Sequence, residues 1–304
     1  MSGPQMSSNG GNKMSTFLQL LFSSLETGSV YALAALGIII IFRTSKMTNF
    51  AQGSIGMFNA FIATFFLLKT GAPTIVALLV GMISAFVTGI LVDVGIMRHG
   101  KNISPISRQM ITFGLIMLFL GIAPMIFGSS PMSFPRFIKQ GSIKIIGASV
   151  THNAILNISV GIALMLALFY FLQKTKWGLA VRVTASNEET AQLMGVPTKT
   201  VTMGSWAVAA SLGALSALML APAISVNVSM MDNVQINALI ACVLGGFQTF
   251  YGPVLGAYVI GLTKNMLSYY ISSTWGGALL YILFLIFIIF KPNGLIGKKR
   301  IKKV

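Results

Sequence analysis

The side chains that could carry acid–base or nucleophilic chemistry are few and far apart. Five acids, two histidines and one cysteine are all that 304 residues provide. They fall into no metal-ligand spacing, and no nucleophile stands with a base. Cys242 has no disulfide partner in the chain and lies in an apolar run. His99 and His152 are isolated loop residues. A phosphate-cradling GxxxxGK[ST] loop is absent. The chain therefore reads as catalysing no reaction and binding no cofactor itself.

Two kinds of polar feature stand out against that background. The first is SNEETAQLMGVP, residues 186–197. Ser186 followed by Asn187, Glu188 and, three residues on, Glu189 predicts a capping box between Ser186 and Glu189, and Glu188 and Glu189 suit the positive end of a helix dipole. Gly195 stands where a C-terminal cap belongs, and Pro197 stops continuation. Ala191, Leu193 and Met194 supply a small apolar surface. About two turns of helix follow. A capped helix lying on a membrane surface and a helix docked in a partner's groove both fit this pattern.

The second feature is a pair of interruptions in apolar runs. One is Asn49, Gln52 and Gly53, with Phe50, Ala51 and Gly56 around them. The other is Gly245, Gly246 and Gln248, with Phe247 and Gly252–Pro253 beyond. Irregular backbone at membrane depth survives only where protein or water satisfies it, so these residues are pathway or gate candidates. Glycines at such places also serve close helix packing. Glu26 lies inside an apolar run, where a carboxylate is a functional candidate unless it faces water at the outer interface. Asp93, near the inner end of its run, is expected to be an interfacial cap or to partner a nearby arginine such as Arg98.

The elements that must position these residues are membrane helices. The chain is 55% hydrophobic and 9% charged, against about 25% charged in soluble domains. Its apolar segments, nine by our reading, cover roughly 17–42, 51–68, 73–97, 109–127, 154–172, 201–226, 234–250, 252–271 and 275–290. They are continuous rather than alternating, which favours helices over a barrel. The expected fold is an all-α polytopic membrane protein with about 8–10 transmembrane helices, some broken or re-entrant. Residues 1–15 read as a disordered polar tail, 16–292 as the membrane domain and 293–304 as a basic tail.

Lysine and arginine set the orientation. One side holds Arg43, Lys46, Arg98, Lys101, Arg108, Lys174, Lys176, Arg182, Lys199 and the six basic residues from Lys291 onward. The other holds Lys13, Lys69, Arg136, Lys139, Lys144 and Lys264. The C-terminus is thus expected in the cytoplasm and the N-terminus outside. Loop 173–200 then lies inside and 128–153 outside. The net charge of +16 resides in loops rather than on a soluble face, which argues against nucleic acid and for a lipid surface.

Four stretches, in order, resemble one family. WGLAVRVTASNEETAQLMGV (177–196) resembles the cytoplasmic loop of ABC-importer permeases, most of all those of the branched-chain amino-acid type. GSVYALAALG (28–37), leading to MTNFAQGSIGM (47–57), is similar to that family's first helix and its Asn-Phe-Ala-His-Gly turn. ALIACVLGGFQTFYGPVLGAYVIG (238–261) resembles its Ala-Val-Leu-Gly-Gly segment, and KPNGLIGK (291–298) its closing Pro-x-Gly-Leu-x-Gly. The resemblance spans roughly 17–298. Gln52 stands where many members have His, and Glu26 where an uncharged residue is usual.

The resemblance implies a permease subunit working by alternating access. Two cytoplasmic ATPase subunits would hold ATP and Mg. A second permease, homologous or identical, and an external solute-binding protein would complete the complex. Residues 186–189, 191 and 193–195 would form the ATPase-coupling helix. Branched-chain or other amino acids are the first expected cargo, with urea or amides, sugars and nucleosides as alternatives. The residues alone also leave open a self-contained carrier or channel, or a scaffold that moves nothing.

Overall fold

The computed structural model describes residues 10–100, 103–138, 141–145, 148–292 and 294–296. Each of the nine apolar segments is a helix. They are α1 Gly10–Ser45, α2 Gln52–Thr70, α3 Thr74–Val92, α4 Pro105–Phe127, α5 His152–Lys174, α8 Thr198–Ile224, α9 Asp232–Gly245, α10 Gly252–Tyr270 and α11 Gly276–Phe290. A π-helical stretch, Asp93–Met97, continues α3. Two further helices, α6 Lys176–Ser186 and α7 Glu188–Leu193, occupy the 173–200 loop. The 128–153 loop holds an antiparallel hairpin, β1 Ser142–Ile145 and β2 Ala148–Thr151.

Helices α1 to α5 and α8 are long and apolar enough to cross a membrane. At 14 and 15 residues, α9 and α11 fall short of the roughly 20 needed for a straight crossing. The chain is an all-α polytopic membrane protein. No proline interrupts residues 10–15, and they extend α1 rather than forming part of a tail. Residues 1–9 and 297–304 lie outside the described residues.

Helix α1 is the axis of the bundle. From Gly28 to Ile41 every residue is buried, as expected for a helix that is apolar all round. Helices α5, α8, α9 and α10 pack around it. The outer helices show their apolar side chains instead: Ile75, Met117, Leu166 and Ile289 are exposed, as a lipid-facing surface requires.

Small residues let the inner helices approach closely. A Cβ on Gly56 of α2 would lie 2.6 Å from the carbonyl oxygen of Gly213 of α8, and one on Gly89 of α3 would lie 2.4 Å from that of Trp206. Hydroxyl and amide groups cross-link the same faces. Ser216 donates to the Val30 carbonyl (2.9 Å). Asn59 Oδ1 accepts from Ser84 (2.8 Å) and Thr88 (3.2 Å).

Two helices begin inside the bundle. Gln52, the first residue of α2, has its carboxamide against Gly37 of α1. Gly37 is eight residues, about 12 Å, short of the end of α1, so residues 46–51 double back into the bundle. From the other end, residues 225–231 return after α8, and Met231 packs on Gly53. The starts of α2 and α9 therefore meet at depth.

Gly89→Val should force α3 off the Trp206 backbone and cost about 1–3 kcal/mol. Gly114, whose added Cβ meets nothing within 4 Å, should tolerate alanine. Reversible unfolding in mixed detergent micelles compares the two, and equal stability would contradict this packing.

Candidate functional site

The 46–53 turn is held by side-chain amides. Asn49 Oδ1 accepts from the Ala51 N–H at 2.9 Å, and Asn49 Nδ2 donates to Gln52 Oε1 at 3.3 Å. Gln52 Nε2 donates to the Ala209 carbonyl of α8 at 2.6 Å. Gln235 of α9 accepts from the Gly53 N–H at 2.6 Å and donates to the Asn49 carbonyl at 3.4 Å. The Phe50 N–H donates to the Thr112 hydroxyl of α4 at 3.3 Å. Asn49 and Gln52 are fully buried. The broken start of α2 is thus clamped to α4, α8 and α9 through groups that replace its missing helical partners.

Beside this clamp, α2, α4 and α9 border an open cavity of about 340 Å³. Phe50, Gly53, Ser54, Met57, Ile116, Met231, Asp232, Gln235 and Ile236 line it, together with Val228. Gly53 is the one sequence candidate on its wall. Asp232 and Gln235 were missed: Asp232 falls between two apolar segments, and Gln235 is a single polar residue at the start of one. The sparseness of acids in the chain was the available signal for Asp232.

The second interruption lies elsewhere, near the end of α1. Gly245 is packed against the Gly252 backbone, where a Cβ would lie 2.0 Å from a carbonyl oxygen. Gly246 turns the chain at φ 88°. The Leu295 N–H donates to the Leu244 carbonyl at 2.7 Å, so the closing KPNGLIG motif caps α9. Gln248 is exposed, and its carbonyl accepts from the Arg43 guanidinium. Phe247 packs on Phe42, with ring centroids 4.4 Å apart. The two interruptions do not come together.

Glu26 is half-buried and away from the cavity. Its Oε1 accepts from Asn157 Nδ2 at 2.8 Å, and Asn157 also donates to the Met219 carbonyl at 3.4 Å. Asp93 pairs with Arg98 at 3.3 Å, brought onto one face by the π-helical turn. Lys264 belongs to α10 rather than to a loop, and its ammonium donates to the Tyr31 hydroxyl at 2.8 Å.

The 186–197 stretch forms a short helix with a shifted start. The cap is Asn187, whose Oδ1 accepts from the Thr190 N–H at 3.1 Å, while Ser186 ends α6. Either residue type can cap, and the continuous α6 claims Ser186. At the other end, the Val196 N–H donates to the Ala191 carbonyl at 2.9 Å and Gly195 has φ 81°, a Schellman-type stop. The three apolar residues divide: Ala191 is buried, whereas Leu193 and Met194 are 89% and 67% exposed. Lys46 donates its ammonium to the Ala185 carbonyl, joining this loop to the α1–α2 turn. Val181, Leu172 and Val201 form an apolar cluster under α6.

A lipid-facing bundle with broken helices at depth, and a braced helix in a loop, is the architecture of a polytopic membrane permease. Residues 20–288 match the model of the branched-chain amino acid transport system permease component, and the chain belongs to that family of ABC-importer permease subunits. It is a multi-pass protein of the cytoplasmic (inner) membrane. It is 26% identical to a probable branched-chain amino acid transport permease protein, LivH, of Methanocaldococcus jannaschii, over 97% of this chain and 96% of that one. It is 24% identical to the high-affinity LivH permease of Escherichia coli K12, over 95% and 98%. Similarity at 26% also extends to an autoinducer 2 import permease, LsrC, of Yersinia pestis, over 82% and 69%.

Gln52→Leu removes the second donor to the Ala209 carbonyl and leaves the buried Asn49 Nδ2 without its Gln52 acceptor, which should cost about 1–3 kcal/mol. Gln52→His keeps a ring N–H at the position where the family's turn has histidine, and should recover most of that loss. Unfolding in mixed micelles reads both. A leucine variant as stable as the parent would show that the clamp contributes nothing.

Proposed function

We propose that this chain is the translocating subunit of a binding-protein-dependent importer, carrying branched-chain or other apolar amino acids by ATP-driven alternating access. Two ATPase subunits bind at its cytoplasmic face and supply ATP and Mg. A second permease, the same or homologous, completes the passage, and an external binding protein delivers the solute. The relatives matched over nearly their full length are branched-chain amino acid permeases. That coverage supports an amino acid over the autoinducer named for the relative matched less fully.

The observation that carries this reading is the exposed apolar tip of α7. Leu193 and Met194 face outward from a helix whose other side is anchored by buried Ala191. The Gln192 amide donates to Thr198 Oγ1 at 2.9 Å, holding α7 to the start of α8. An apolar tip on a braced helix suits a groove in a partner. Docking there pulls on Ala185, and through Lys46 on the turn that clamps α2, α8 and α9. ATP-driven movement would thus reach the broken helix starts across the short α6–α7 break at Asn187 and the Lys46 contact.

Leu193→Asp should remove the ATPase subunit from complexes purified in mild detergent, leaving the amount of inserted permease unchanged. Full retention of the ATPase by this variant would sink the docking role. A permease that arrives alone yet passes solute in liposomes would mean a channel or carrier instead.

A further inference from the structure

We propose that the cavity between α2, α4 and α9 is this protomer's share of the solute passage, and that Asp232 there meets the solute's ammonium group. The inference rests on the transport reading above and gives it a site. The ligand class is a small molecule with a cationic amine beside an aliphatic side chain.

Depth is the first argument. Met231 and Gln235 pack on Gly53, and the neighbouring Gln52 lies against Gly37 in the buried stretch of α1. A carboxylate beside them is at membrane level, where an ionised acid requires water or a cation. Among the described residues Asp232 has no lysine or arginine within 4 Å, whereas Asp93 has Arg98. Glu26, also in a membrane helix, is engaged by Asn157. Asp232 is exposed, and it faces the cavity.

The walls are the second argument. Met57, Ile116 and Ile236 are apolar, and Phe50 is held by stacking on Phe113 with centroids 4.7 Å apart. Gln235 is tied on both sides of its amide to the α2 turn, so it fixes the wall instead of reaching for solute. One negative charge against aliphatic and aromatic surface complements an ammonium next to a branched hydrocarbon. The clamp that shapes this wall is the one that Lys46 connects to α7, so the passage lies on the path along which ATP-driven movement arrives.

A purely structural Asp232 is the competing account, since an acid in the first turn of α9 complements the helix dipole. The test separates the two. Ser54→Cys places a thiol in the cavity of the complex purified with its native partner subunits and reconstituted in liposomes. Cys242 is fully buried and is changed to serine in the background strain. The probes are a trimethylammonium and a sulfonate methanethiosulfonate of similar size. The cationic reagent should label at least about tenfold faster, and Asp232→Asn should bring the ratio towards one. In the parent without the thiol, Asp232→Asn should lower kcat/KM for leucine uptake by about tenfold or more, with the ATPase still copurifying.

A thiol that neither reagent reaches, with or without ATP, would show a dry cavity and overturn the proposal. A charge preference unchanged by Asp232→Asn would do the same, and a fall in unfolding midpoint alone would assign Asp232 to helix capping. The expected labelling, found with a wild-type complex that takes up another amine but not leucine, would uphold the site and reject the branched-chain cargo.

Discussion

Backbone hydrogen bonding in the absence of water is the constraint on which this structure depends. A helix that starts inside a membrane bundle presents N–H groups that no lipid can satisfy. Both α2 and α9 start this way. The chain answers with carboxamides: Asn49 and Gln235 bind the backbone of the α2 start, and Gln52 reaches across to α8. Remove that set and residues 46–53 have no stable path through the bundle. The cavity beside them exists because two helix starts meet there with no continuous helix filling the space.

Close packing makes the same arrangement possible from the other side. Gln52 fits because Gly37 and Gly213 have no side chains where its carboxamide lies. A larger residue at either position would displace the donor from Ala209. The amide and the two glycines are thus one unit, although 176 positions separate Gly37 from Gly213. Glycines of this kind serve packing and polar satisfaction together, so the packing and pathway readings of the broken segments are not exclusive.

The helices were largely legible in sequence because long apolar runs have one solution in a bilayer. All nine are present, and Asp93 pairs with Arg98 five residues on because the chain between them is π-helical. Depth was not legible. Hydropathy cannot show that residues 46–51 climb back towards Gly37, or that 225–231 descend to meet them. Asp232 therefore looked like a residue between segments and Gln235 like a lone polar residue in an apolar run, while the second interruption, at Gly245–Gly246, looked like a site at depth. The start of α7 moved from Ser186 to Asn187 because two good capping residues stand side by side, and only the continuation of α6 decides between them. The family resemblance singled out the 186–196 stretch, yet gave no hint that Leu193 and Ala191 face opposite ways.

The position of Lys46 bears on how such a bundle can move. It takes a left-handed backbone, φ 55°, at the end of α1, a conformation a non-glycine residue holds only when its surroundings demand it. Its ammonium holds the Ala185 carbonyl at the end of α6, and three residues later Asn49 begins the clamp on α2. The 173–200 loop and the helix starts at depth are thereby joined through one short stretch of chain. Displacing α6 without disturbing the clamp would require that contact to break. Keeping it transmits the displacement to α2 and α9, whose starts have side-chain bonds that can exchange in place of a continuous helical ladder. A break in the helix is thus both the cause of the cavity and the place where its walls can shift at least cost.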